Sequence, residues 1–469
     1  MRARSIVSAA AAVSFLGTVL LSVQTHAQKE IGPSEETRGS TRQSDADFYA
    51  ATNEVLQEMG KILDLPPKST LHETIRTKDE IRRYLIDEQN KEESPEKRYV
   101  DRRTLEAFGL IPKGFPLDSF LLDLLTDQVA GLYDPQTKEF FIASWIAPGD
   151  QKEVMAHELT HALDDQYFHL KKWQNAVRSN DDASLARDAV IEGSALAAMM
   201  DYTLADMHTS VRELSDIAPF IESSVADQMD KDPNLAKAPP FVRDELLFPY
   251  LEGAKFTQKV LKATGSWAGF QEVFKNPPAS TQEILHPDLY FQKVVPERVR
   301  LPNLKSAMPL GYIPLDENVV GEFALSEVLK QFLGPGDAEL YAPMWRGDRY
   351  VLFENKATKQ TILVVLLALD SETDTRSFFA AYRKALEEKD SVKTPVREGQ
   401  EFVAFNTVSL ACVGTQCLSL EGANRSVFDR IEHRLGWPAE ARTNHPTASQ
   451  TPLAATGRSS AHCTTSSLP

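Results

Sequence analysis

His157 and His161 stand four residues apart in the stretch Asp150 to Gln166, DQKEVMAHELTHALDDQ, with Glu158 directly after the first. Side chains at i and i+4 on a helix lie one above the other, so both imidazoles can reach a single ion. Glu158, roughly 100° round the same helix, faces the water that such an ion holds. Imidazole pairs in this spacing bind zinc, and the carboxylate beside them can act as a base toward metal-bound water.

The local sequence must make this segment a helix for that chemistry to exist. Pro148 and Gly149 break what precedes it, Asp150 is placed to cap, and Glu153 falls at the third helical position of a box-like N-terminus. Val154, Leu159 and Leu163 supply apolar positions for one face.

Zinc catalysis also requires a third protein ligand. The stretch from Asp182 to Met207 reads as a long helix rich in Ala, Leu and Met, and Glu192 is an isolated acid inside its apolar body. A carboxylate among Val190, Ala195 and Met199 is costly unless it meets a cation, and Gly193, Ser194 and Ala195 let a second helix approach closely. Asp188, one turn before Glu192, is a candidate to accept the second N–H of a ligand imidazole; Asp164 and Asp165 are rivals for that role.

The HELTH sequence at His157 to His161, followed by EGSA at Glu192 to Ala195, resembles the gluzincins, zinc peptidases that use two His from one helix and a Glu from a later one. Its spacing from His161 to Glu192 exceeds that of the thermolysin-like members, and Leu196 stands where those carry a supporting acid. The segments VAGLYDPQTKEFFIA, PPFVRDELLFPYLEGAKF and PPASTQEILHP are also similar to a group of uncharacterised bacterial exported proteins.

The resemblance implies a zincin-like peptidase binding one Zn2+ per chain through His157, His161 and Glu192. Glu158 would be the general base, peptides or proteins the substrate, and Tyr250 or His286 the donor to the oxyanion. The rival expectation is a zincin-derived binding or chaperone-like protein without turnover; a retained Glu158 argues for the enzyme.

The fold class that follows is α+β: a mainly helical metallopeptidase domain with a small edge-strand sheet over residues 46–304, then a smaller α+β domain over 305–438. Leu117 to Leu132 reads as a buried helix leading into a hairpin whose second strand, Phe140 to Ala143, ends just before the metal-site helix and lies with a free edge along the cleft. Phe48 to Leu63 and Thr77 to Lys97 read as helices. In the second domain, helices fall at Glu322 to Phe332, Ser371 to Glu387 and Ser426 to Leu435. Strands fall at Arg349 to Glu354, Thr361 to Leu369, Phe402 to Phe405, Val408 to Val413 and Gln416 to Leu420. Trp345 to Arg349 reads as a glycine turn before a strand.

Outside these domains, Met1 to Ala27 has the basic start, apolar run and small-residue end of a secretory signal, so the chain is expected to be exported, periplasmic or secreted. Residues 28–45 read as a flexible linker and 439–469 as a disordered tail. Cys412 and Cys417 flank a turn and are placed to form a disulfide, leaving Cys463 odd. A formal charge of -16 argues against nucleic acid, and after Ala27 no apolar stretch is long enough to span a bilayer. Oligomeric state has no signature in the sequence.

Overall fold

Prolines, glycines and caps divide the chain into its elements. A computed structural model describes residues 45–395 and 401–437. The expected signal segment 1–27, residues 28–44 of the linker, the tail 439–469 and Cys463 lie outside the described residues.

The first half carries α1 (Asp45–Ile62), β1 (His72–Arg76), α2 (Lys78–Glu92), α3 (Pro95–Phe108), α4 (Leu117–Gln128), β2 (Gly131–Asp134), β3 (Glu139–Ala143), α5 (Gln151–Phe168), α6 (Asp181–Leu204), α7 (Pro240–Thr264) and the short α8 (Thr281–Leu285). The helix expected over Thr77 to Lys97 is two helices. Ser94 caps the second by accepting from the Lys97 N–H at 3.2 Å, and Pro95 occupies its first turn. Pro disfavours helical backbone at the residue before it, so the first helix must stop short. The helix expected to reach Leu132 ends at Gln128, and Gly131 and Leu132 belong to β2.

The small sheet has the order β1-β3-β2, with β1 parallel and β2 antiparallel to β3. Phe140 to Ala143 is therefore a central strand, fully buried, and not the free edge expected of it. The edge beside the long helices belongs to β2. β1, which shields the other side, is short and polar and carries little strand signal of its own.

The second half is a six-stranded antiparallel sheet in the order β4-β5-β6-β9-β8-β7, with β4 (Tyr312–Asn318), β5 (Trp345–Asn355), β6 (Thr361–Leu369), β7 (Phe402–Phe405), β8 (Val408–Val413) and β9 (Gln416–Glu421). Helices α9 (Gly321–Leu333), α10 (Glu372–Lys389) and α11 (Arg425–Leu435) accompany it. Trp345 to Arg349 lies inside β5 instead of forming a turn, and the strand shifts register between Trp345 and Gly347. A Cβ at Gly347 would sit 2.2 Å from the Glu297 carbonyl oxygen, so only glycine admits that crossing segment. Cys412 and Cys417 are opposed across β8 and β9 and form a disulfide.

The chain is thus of mixed α+β class. One apolar cluster runs from Phe48 on α1 to Cys417 on β9, joining the helices to one face of the large sheet, while Phe353, Val364, Leu418 and Phe428 belong to a second cluster on the other face. Polar ties cross the same junction: Tyr99 donates to Glu354 Oε1 at 2.5 Å, and Arg103 pairs with Glu354 at 3.1 Å. No helix among the described residues is long and apolar enough to cross a membrane.

Candidate metal centre

Helix α5 delivers His157 and His161 from one face, and it begins differently from the sequence expectation. Residues Pro148–Asp150 form a 3-10 turn that runs straight into it, so Asp150 is already helical and its side chain makes no cap bond. Gln151 closes the entry instead, donating to the Ile146 carbonyl at 3.1 Å. The capping side chain of α6 is Asn180, which accepts from the Ala183 N–H at 3.1 Å.

Glu192 on α6 meets the two imidazoles. Its Oε2 lies 3.3 Å from His157 Nε2 and 3.5 Å from His161 Nε2, and the two Nε2 atoms are 3.1 Å apart. Zinc bonds of about 2.0–2.1 Å arranged tetrahedrally place neighbouring donors roughly 3.3–3.4 Å apart, so this triangle has the size of three corners of a zinc site. Among the described residues it is the one group of His, Cys, Asp or Glu whose ligand atoms converge in this way. His157 is wholly buried, and Glu192 is 9% exposed.

Charge in the triad is arranged for a cation. Burial would raise Glu192, but His161 beside it outweighs that and holds the carboxyl well below the usual range. Burial would likewise lower His161; the Glu192 charge overrides it and raises the imidazole to about 9. Burial lowers His157 to about 4. The two imidazoles therefore move in opposite directions, burial disfavouring a proton on His157 and the Glu192 charge favouring one on His161. A divalent cation satisfies the same carboxylate and both neutral nitrogens.

Glu158 stands beside the triad, and its Oε2 accepts the Tyr133 backbone N–H of β2 at 2.7 Å. Its other oxygen is buried without a hydrogen-bond partner, and burial pushes the carboxyl up to about 7 despite the opposing charge of His161. A base near neutrality is suited to taking and returning a proton.

The two helices that carry Glu192 and Tyr250 are locked by glycines. A Cβ at Gly193 would fall 2.0 Å from the Gly253 carbonyl carbon, and one at Gly253 would fall 2.1 Å from the Ala189 carbonyl oxygen. This backbone contact, one residue after the ligand and three after the tyrosine, brings the Tyr250 ring beside His157, with centroids 6.3 Å and planes 26° apart. Pro249 removes a main-chain hydrogen bond inside α7 just before that tyrosine.

His286 is placed elsewhere in its bonding: its Nε2 lies 2.7 Å from Glu322 Oε1 on α9, and that hydrogen bond raises its pKa. The three acids proposed to support a ligand imidazole also separate. Asp165 is committed to Tyr133, Lys138 and the Leu170 N–H, and Asp188 accepts from Gln174 at 3.1 Å. Asp164 is buried one turn beyond His161 and feels its charge; its Oδ2 and the Nδ1 atoms of both His157 and His161 have no hydrogen-bond partner. Of the three, Asp164 alone keeps a buried oxygen unbonded, and it bonds neither imidazole.

Tyr133 and Gly253 were not singled out by sequence. A main-chain N–H carries no side-chain signature, and Gly253 stands in the segment PPFVRDELLFPYLEGAKF, noted only for its resemblance to exported proteins and for Tyr250. The Gly193 to Ala195 run announced a close helix approach but not its partner.

A family described as a domain of unknown function (DUF8575) matches residues 312–431, less than half of the chain. The match spans all six strands of the large sheet and leaves the triad outside it. No curated protein and no solved structure matches the chain.

Proposed function

We propose that this chain is an exported, zinc-dependent peptidase of gluzincin type, built on a zincin-like helical core. The observation that carries the reading is the convergence of His157, His161 and Glu192 on donor spacings suited to zinc, with Glu158 buried beside them. Zinc bound there would acidify water and polarise a carbonyl. Glu158 accepts the water proton and passes it to the leaving amine. Tyr250, stacked against His157, or His286, bonded to Glu322, supplies the donor that steadies the oxyanion.

The substrate is a peptide or protein segment in extended form. Tyr133 turns its N–H away from β3 and onto Glu158, so β2 is the sheet edge that lies beside the base. Export is supported by the basic and apolar start of the chain and by the Cys412 to Cys417 disulfide.

Elemental analysis of the wild type, Glu192→Ala and Glu158→Gln proteins, with a peptide-library cleavage assay on the same samples, tests this. The expected result is one zinc in wild type, none in Glu192→Ala, and zinc without cleavage in Glu158→Gln. Zinc without cleavage in the wild type would instead favour a binding protein that keeps the site but not the turnover.

A further inference from the structure

Tyr133 makes two bonds to one helix. Its backbone N–H reaches Glu158 Oε2 at 2.7 Å, and its phenol donates to Asp165 Oδ2 at 2.9 Å, two turns further along α5. Asp165 is almost fully buried, and its remaining partners are the Lys138 ammonium and the Leu170 N–H at 3.0 Å. Tyr133 and Lys138 flank the turn of the β2–β3 hairpin, and Lys138 adopts left-handed backbone there, φ 60°, with its N–H bonded to the Asp134 carbonyl. The hairpin is thus fixed to the helix through one carboxylate, and the same strand fixes one oxygen of Glu158.

From this geometry we infer that Tyr133 and Asp165 are positioning residues for Glu158: the phenol–carboxylate bond sets β2 against α5, and the strand's N–H then holds one oxygen of the base while leaving the other free. The close approach this needs is present at Gly131, where a Cβ would lie 2.7 Å from Val154 Cγ1 and 3.4 Å from Glu158 Cγ. Both oxygens of Asp165 are engaged, so it is not the support of a ligand imidazole. The inference rests on the peptidase reading only for its kinetic consequence; the clamp itself is a property of the metal-free chain.

Two measurements on the full chain test it. With a peptide found by the library assay, Tyr133→Phe and Asp165→Asn should each keep one zinc and lower kcat about tenfold, with KM changed by less than about twofold. The double variant should be no slower than the slower single, because both break one unit. Effects that multiply, an unchanged kcat, or loss of zinc in both variants would overturn the clamp.

The second measurement needs no turnover. In protein labelled with 15N-tyrosine and 13C-carbonyl leucine, Tyr133→Phe identifies the Tyr133 amide by removing its signal. A carboxylate acceptor should place that amide proton downfield, and both Glu158→Gln and Asp165→Asn should move it upfield. If Asp165→Asn leaves it in place, Asp165 does not position the strand. If the wild type holds zinc but cleaves nothing, the peptidase reading fails and the amide alone decides the clamp.

Discussion

Asp348 and Glu158 are both buried carboxylates, one in each half of the molecule, and they are treated in opposite ways. Asp348 accepts from Trp345 Nε1 at 2.8 Å, the Gly321 N–H at 2.9 Å and the Val320 N–H at 2.7 Å, joining β5 to the start of α9. Glu158 has one oxygen bonded and one bare, among imidazoles whose Nδ1 atoms are also bare. Buried polar atoms are normally satisfied, because leaving one unpaired costs about 1–3 kcal/mol. At Asp348, therefore, buried charge completes the protein's own bonding. Around Glu158 several polar atoms are left unbonded in one place, which is the pattern of a site.

The comparison breaks most sharply at Glu158. Replacement by Gln should lower kcat/KM by about 10²–10⁴ while zinc content stays at one, the usual worth of a general base. A fall in zinc would make Glu158 part of the cradle instead.

Next in size are the glycines. Gly253→Ala must push the α6 and α7 backbones apart, which should cost about 2–3 kcal/mol by denaturant unfolding. Gly336→Ala in the other half, where nothing lies within 4 Å of the added carbon, should be neutral or stabilising by about 0.5–1 kcal/mol. Equal effects would mean that the helix crossing is not tight.

The disulfide should matter to stability alone. Replacing Cys412 and Cys417 by Ser opens only a short loop across an already paired hairpin, for a loss of about 2 kcal/mol and unchanged zinc.

The smallest effect expected is at Asp182, which accepts from the Thr281 N–H at 3.1 Å and the Thr281 hydroxyl at 2.5 Å. Burial pushes it up to about 7, with the Thr281 bonds opposing and Asp348 and Glu322 adding to the rise. An acid raised on folding loses stability as pH climbs from its unfolded pKa, about 3.9, through the folded value. Asp182→Asn, which imitates the protonated form, should therefore gain on the order of 2–4 °C in Tm at pH 8 and nothing at pH 4. An equal gain at both pH values would remove the charge from the explanation.

Much of this was legible in the sequence, for identifiable reasons. Helical spacing announced that His157 and His161 share a face, and an isolated acid in an apolar helix announced Glu192. Alternation and turn residues located β6 to β9 because their side chains carry the pattern themselves. The structure was needed where the signal lies in another part of the chain. β1 becomes a strand by pairing with β3, and four polar residues with one partly exposed isoleucine do not reveal that. The same holds for Tyr133, whose contribution comes through its main chain, and for Asp165, whose sequence neighbourhood gave Asp164 an equal claim.

The contact between Gly193 and Gly253 also determines what the connecting chain is free to do. The chain between α6 and α7, residues 205–239, packs back onto both helices: Val211, Ile217 and Ile221 are buried, Asp201 on α6 accepts the Val211 N–H, and Gln258 on α7 donates to the Val211 and Leu214 carbonyls. An insertion or cut at an exposed position of that connection, such as Ala205 or Asp206, brings only a slowly growing entropic penalty, while the ligand and the tyrosine keep their alignment. Those exposed positions are where relatives of this protein would be free to diverge, and the natural point at which to divide the chain into two complementing fragments.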